Sequence, residues 1–249
     1  VPHDFSPFLF QFTETFGIRY YSLGYLFGVL LTYIWLVKVA GYDKEKVADF
    51  VLGAFVAIVV GGRLGEVFFY EPQWIWTDFW RIFRIWEGGM SFHGGFLLVT
   101  VWIWYYVKKQ KWSFLKIGDA LVAPAILGIA LTKVGNFMNG ELFGRPTDVS
   151  WCYIFPKADD LCRHPSQLYQ ALGNVLVSIM LAWAYFKKFR TGTVAALFLI
   201  GYGVVRTTVE IFWREPDWMY MGISSGTWLS VPMIIAGLIM LWRIHKTEI

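Results

Sequence analysis

"IGDALVAPAILGIALTKVGNFMNGELFG", Ile117 to Gly144, begins as a hydrophobic run and ends as something else. From Leu121 to Leu131 every residue is apolar, glycine or proline, and the run to Met138 matches the ~20 residues that cross a bilayer. It then acquires Lys133, Asn136, Asn139 and Glu141 just where a spanning segment should leave the hydrocarbon. A cation and amides at that depth need partners in protein or water.

The rest of the 249-residue chain has the same character. It is 57% hydrophobic, 20% aromatic and 16% charged, with a mean hydropathy of +0.49, more apolar surface than one soluble core needs. The expected class is all-α: a polytopic integral membrane protein with seven transmembrane helices. These run roughly Tyr20 to Val39, Ala48 to Tyr70, Met90 to Val107, Ile117 to Met138, Gln167 to Phe186, Thr193 to Trp213 and Thr227 to Trp242. The third and last are short. No repeat or low-complexity linker divides the sequence, so residues 1–249 read as one transmembrane domain, with outer loops at 71–89, 139–166 and 214–226. The first residues, with Asp4, Glu14 and Arg19, lack the pattern of a cleavable signal, so the helices themselves are expected to direct insertion.

Charge sets the orientation. Lys38, Lys44, Lys46, Lys108, Lys109, Lys111, Lys116, Lys187, Lys188, Arg190, Arg243 and Lys246 fall in short loops on one side. Arg19, Arg81, Arg84, Arg145, Lys157, Arg163 and Arg214 are spread over longer segments on the other. The positive-inside rule then places the N-terminus outside and the C-terminus in the cytoplasm. The net charge of +4 is an orientation signal, and no basic stripe with interleaved aromatics points to nucleic acid. "YEPQWIWTDFW", Tyr70 to Trp80, suits the headgroup layer. Cys152 and Cys162 share an outer loop, where they either form a short disulfide or stay free.

Three cations remain within the helices: Arg63, Lys133 and Arg206, each one to two turns from an outer helix end. Each costs at least ~2.5 kcal/mol at a helix centre unless it faces protein or water. At the same level lie His93, His164, Ser166, Gln167, Tyr21, Tyr202, Asn136, Asn139 and Glu141, from elements far apart in sequence. A shared outer-leaflet lipid cavity accounts for them, and its surplus cations suit a phosphate. The plainer alternatives stand beside it. Arg63 with Glu66, and Arg206 with Glu210, are spaced as intrahelical ion pairs, whereas Lys133 has no carboxylate three or four positions away. Lys133 could still snorkel to the headgroups. His93 could be a general base or a hydrogen-bonded residue at a helix start, and His164, before Pro165, suits a capping role. The two tyrosines could be packing aromatics, and the asparagines could satisfy backbone at the helix end. "GISSG", Gly222 to Gly226, fits a hydrolase serine motif but lacks its strand–turn–helix context. No metal spacing occurs, and no organic cofactor is implied.

"GNFMNGELFG" (Gly135 to Gly144) closely resembles the signature of the bacterial prolipoprotein diacylglyceryl transferases. So do "RYYSLGY" (from Arg19), "GGRLGEVFFY" (from Gly61), "WEGGMSFHGG" (from Trp86), "RHPSQLY" (from Arg163), "FLIGYGVVRTTVE" (from Phe198) and "LSVPM" (from Leu229), in the family's order. The resemblance implies transfer of diacylglycerol from phosphatidylglycerol to the lipobox cysteine of a prolipoprotein, with release of glycerol phosphate. It implies that Arg206 and the Lys133 position act on the phosphate, and that Asn136, Glu141 and Gly144 shape the headgroup site. It places Tyr21, His93 and Tyr202 at the reaction centre, with His93 expected as the thiol's base. Arg63, Asn139 and Glu210 are expected to support substrate binding. Three positions depart from the pattern: Lys133 for arginine, Gln170 for glutamate and Thr227 for glutamine. They leave a second reading open, a divergent paralogue that binds phospholipid or a membrane protein partner without transfer.

Overall fold

The computed structural model describes residues 1–12, 17–85, 89–216 and 219–246, apart from the side chains of Phe69, Phe92 and His93. The chain forms two compact units, one of residues 33–114 and one of residues 1–32 with 115–249. Along the sequence come β1 (Phe8–Gln11), β2 (Gly17–Arg19), α1 (Tyr20–Lys38), α2 (Lys44–Phe69), α3 (Trp74–Thr77), a 3-10 turn (Phe79–Phe83) and α4 (Phe92–Lys109). There follow α5 (Phe114–Met138), β3 (Tyr153–Ile154), β4 (Cys162–Arg163), α6 (Ser166–Phe186), α7 (Thr193–Phe212), β5 (Met219–Tyr220), β6 (Ile223–Ser224) and α8 (Ser225–Lys246).

Among the described residues, six helices are long and apolar enough to cross a membrane: α1, α2, α5, α6, α7 and α8. The protein is therefore a mainly helical, polytopic membrane protein. Of the seven expected segments, the third forms the 18-residue α4 and is not among the six. The last is longer than expected, 22 residues from Ser225. The segments outside the long helices are not featureless loops either. They carry three two-stranded antiparallel hairpins, β1–β2, β3–β4 and β5–β6, whose strands of two to four residues are too short to leave a period in the sequence. A disulfide joins Cys152 to Cys162 beside the β3–β4 pair, which resolves the choice the sequence left open.

In the unit of residues 33–114, α2 starts at Asp43, whose carboxylate accepts from the backbone N–H of Glu45 and Lys46. α4 starts at Ser91, whose hydroxyl accepts from Gly94 N–H. The two helices touch backbone to backbone, because a Cβ on Gly94 would collide with Gly61 and Gly65. Farther along, Trp102 donates its indole N–H to Phe50 O (2.9 Å) and Tyr106 its hydroxyl to Lys46 O (2.8 Å), so both aromatic polar ends are satisfied while the rings pack.

In the other unit, α6, α7 and α8 pack in sequence order, and α1 lies against α5. The Asp119 carboxylate of α5 accepts from the N–H groups of Gly192 (2.6 Å) and Ala195 (2.8 Å) at the start of α7, a cap supplied from 73 residues away. Outside the helices, His3 donates Nε2–H to Phe137 O (2.6 Å) within a cluster of Phe5, Phe137, Tyr153 and Phe155. That cluster joins the N-terminal segment to the loop after α5.

Candidate functional site

The polar residues of the larger unit gather in two linked clusters. The first is built by the end of α5. Helix α5 stops because Gly140 takes a left-handed conformation (φ +62°), and the chain turns so that Glu141 folds back. Its Oε1 then accepts from Asn136 Nδ2 (2.7 Å) and Asn139 Nδ2 (3.3 Å), and its N–H donates to Asn136 O. Gln167, at the start of α6, donates Nε2–H to Glu141 O (2.7 Å), and Ser166 donates to Leu142 O (3.0 Å). Lys157 donates to Asn139 O (2.5 Å). Amides and one carboxylate thus lock the signature loop. Gly144 completes it: its N–H donates to His164 O, and a Cβ there would press on His164 and on Trp213 O. Gly144 is required by close packing of three chain segments.

The second cluster is on α7. Glu210 is fully buried, and Arg206 one turn earlier lies 2.9 Å from its Oε2. Arg214, one turn later, approaches the same oxygen at 3.8 Å, and Arg145 donates to Glu210 O (3.4 Å) and Arg214 O (3.0 Å). Arg206 also donates from Nη1 to Gln170 Oε1 on α6 (3.4 Å). Two guanidinium groups beside one carboxylate, with a third on the backbone carbonyls of Glu210 and Arg214, leave net positive charge. The Arg206 side chain keeps 14% of its surface exposed, against 4% for Arg214, so of the two that flank the carboxylate Arg206 is the one that can meet a ligand. Gly226 at the start of α8 is forced by this arrangement, since a Cβ would lie 2.6 Å from the Glu210 carboxylate and 2.7 Å from Arg206 Nη2.

Other expected residues are placed with less company. Tyr21 opens α1 with its hydroxyl 2.8 Å from that of Tyr25, and its backbone lies against Gly135 of α5. Tyr202 is half-buried one turn inward from Arg206 and stacks on Phe198 (5.9 Å). Lys133 is half-buried on α5, one turn inward from Asn136 and Phe137. The side chain of His93 lies outside the described residues; its backbone is in the first turn of α4. Ser224, the decoy serine, is bonded to Thr227 (3.1 Å) and accepts from Thr227 N–H at the start of α8, as a capping residue does.

Arg63, in the smaller unit, has a different environment. Its guanidinium is surrounded by backbone carbonyls: Nε donates to Ile82 O (2.8 Å), Nη1 to Gly89 O (2.9 Å), and Nη2 to Arg84 O (3.2 Å) and Arg81 O. Trp74 lies beneath both Arg63 (5.0 Å) and Arg81 (4.4 Å). These contacts pin the segment after α3 to α2.

Sequence reasoning counted Arg145 and Arg214 only as outer-loop charges. A signal existed for Arg214, four residues after Glu210 as Arg206 is four before. Arg145 left none, because its partners are carbonyls 65 and 69 positions away. At the outer loop, Arg163 pairs with Asp159 (2.6 Å) and Glu215 (3.2 Å) and donates to Gly144 O (3.0 Å). The guanidinium hydrogen bond holds the Asp159 carboxyl below its usual range, and burial pushes the His164 imidazole below its own.

Comparison with known proteins agrees with the motif. The family model of prolipoprotein diacylglyceryl transferase matches residues 7–243. Curated proteins named phosphatidylglycerol-prolipoprotein diacylglyceryl transferase are similar along nearly the whole chain. That of Pseudoalteromonas atlantica is 42% identical over 93% of this chain and 87% of its own. That of Idiomarina loihiensis is 41% identical over 97% and 94%, and that of Nitrosomonas europaea 43% over 93% and 87%.

Proposed function

The chain belongs to the prolipoprotein diacylglyceryl transferase family, and we propose that it moves the diacylglyceryl group of phosphatidylglycerol to the cysteine thiol of a prolipoprotein lipobox. The thiolate sulfur attacks the glyceryl carbon bonded to phosphate oxygen. A C–S bond forms, the C–O bond breaks, and its electron pair leaves on glycerol phosphate. Negative charge that begins on sulfur ends on phosphate, so cations fixed around the departing oxygens stabilise the transition state.

The observation that carries this reading is Arg206. It sits within a spanning helix, is oriented by Glu210 and Gln170, and keeps 14% of its side-chain surface exposed amid a surplus of positive charge. Arg206 binds the phosphate, with Lys133 as a second cation. Asn136, Asn139 and Glu141 fix the loop beside it, and Glu210 holds Arg206 in place. Tyr21 and Tyr202 flank the reacting centre. Arg63, its donors taken up by carbonyls, supports the outer segment and meets no substrate. His93 takes the thiol proton, a role that rests on its motif. The site faces the outer leaflet of a bacterial inner membrane, with the N-terminus periplasmic, in line with the loop charges.

The test is to incubate the purified protein with phosphatidylglycerol and a lipobox peptide, following peptide mass and free glycerol phosphate. One diacylglyceryl unit gained per glycerol phosphate released, with loss in His93→Ala, supports the reading. Tight phosphatidylglycerol binding without peptide modification would favour the phospholipid-binding subunit instead.

A further inference from the structure

Helix α6 carries a buried polar stripe whose contacts with Arg206 and Glu141 leave several of its amide groups unaccounted for. Gln167, Gln170 and Asn174 recur at helical spacing and are 2%, 2% and 0% exposed. Gln167 donates to Glu141 O, yet its Oε1 has no partner among the described residues. Gln170 accepts from Arg206, yet its Nε2 has none. Asn174, one turn deeper, has none at either Nδ2 or Oδ1. Beside the stripe, α6 meets α7 at Gly173 against Val205 and at Gly201 against Val177, and Ser178 donates to Ala123 O (2.8 Å). Buried amides in a spanning helix carry a large penalty if unsatisfied, and ordered water with about three hydrogen bonds is the usual remedy.

The chemistry of the stripe gives that water a task. A guanidinium has donors only, so just one end of the Gln170 amide, Oε1, can face Arg206; the reversed amide would set N–H against N–H. What fixes the amide is an acceptor for Nε2 on the far side. We propose that Gln170 and Asn174 hold a short file of buried water, in which water accepts from Gln170 Nε2 and donates to Asn174 Oδ1. Asn174 is thereby a positioning residue for Arg206, although it touches neither Arg206 nor substrate. This inference rests on Arg206 as the phosphate ligand.

The test is a double-mutant cycle in the full-length purified protein, reading KM for phosphatidylglycerol, kcat and Tm. Asn174→Leu keeps the volume and removes the amide. The expected result is a KM raised about tenfold with Tm unchanged or higher, since an apolar side chain suits the site. Asn174→Ser, which keeps a donor and an acceptor and leaves room for water, should recover most of the loss. Gln170→Met should raise KM at least as far, and adding Asn174→Leu to it should raise KM no further, because the two act as one unit. Unchanged KM in Asn174→Leu, or additive effects in the double variant, would overturn the positioning role. Should Asn174→Leu fail to fold, Asn174→Ala takes its place, with the same expectation and the same contradiction. Arg206→Gln separates the two levels. If it transfers like the parent, the phosphate reading falls and the positioning role with it; if it is silent while Asn174→Leu is normal, only the positioning role is lost.

Discussion

Arg63 and Arg206 look alike in the sequence: each is an arginine about two turns from an outer helix end, with a glutamate three or four residues later. In the fold they differ in kind. Arg63 is 3% exposed and donates to the backbone carbonyls of Arg81, Ile82, Arg84 and Gly89. Arg206 is held by a carboxylate and an amide, both side chains, and remains partly accessible. A guanidinium ringed by backbone serves the fold; one gripped from behind by side chains is presented to a ligand. Depth and residue type do not separate the two roles, whereas partner type does.

The comparison can be tested from both sides. The largest effect is expected from Glu210→Gln, which leaves Arg206 and Arg214 facing a neutral group in a buried setting. Breaking such a pair costs about 3–5 kcal/mol, and both Tm and transfer should fall together. Next is Trp74→Ala under Arg63, a buried aromatic whose removal costs about 3 kcal/mol. Here Tm should drop while kcat/KM per folded molecule holds; a selective loss of transfer would place Arg63 at the substrate after all. Lys133→Arg restores a planar fork where a point charge now stands, and should raise kcat/KM by up to about tenfold, since two phosphate oxygens can then be held at once. A fall would mean that the pocket is shaped for lysine.

The smallest effect is with pH. The Asp159 carboxyl is held low by Arg163, so the stability from that pair is full above the ordinary carboxylate value of ~3.9 and is lost as pH falls through the lower folded value. His164 is also held low, by burial, so its contribution is present above about 6.5 and declines as pH drops below that. Acid should therefore loosen the outer loop in two steps, visible as lost hydrogen-exchange protection around residues 144–163.

Much of this was legible in the sequence. Hydropathy set the spans, and the Asn136, Asn139 and Glu141 spacing foretold a polar loop at the end of α5, because a helix that stops in a membrane must satisfy its last carbonyls. The short hairpins left no trace, since two-residue strands have no period. The carbonyl partners of Arg63 were not legible, because groups 18 to 26 positions away carry no sequence signature. Arg145 was missed for the same reason, and the Asp119 cap on α7 likewise depends on a contact that only the tertiary fold creates.

The most direct test compares transfer by Arg206→Gln and Arg63→Gln, with each rate corrected for the fraction folded. Removing a preorganised donor to a developing oxyanion costs about 10²–10³ in rate. The account predicts that loss for Arg206→Gln at near-parent Tm, and for Arg63→Gln a lowered Tm with kcat/KM per folded molecule unchanged. Equal loss of transfer in both, or full activity in Arg206→Gln, would contradict it.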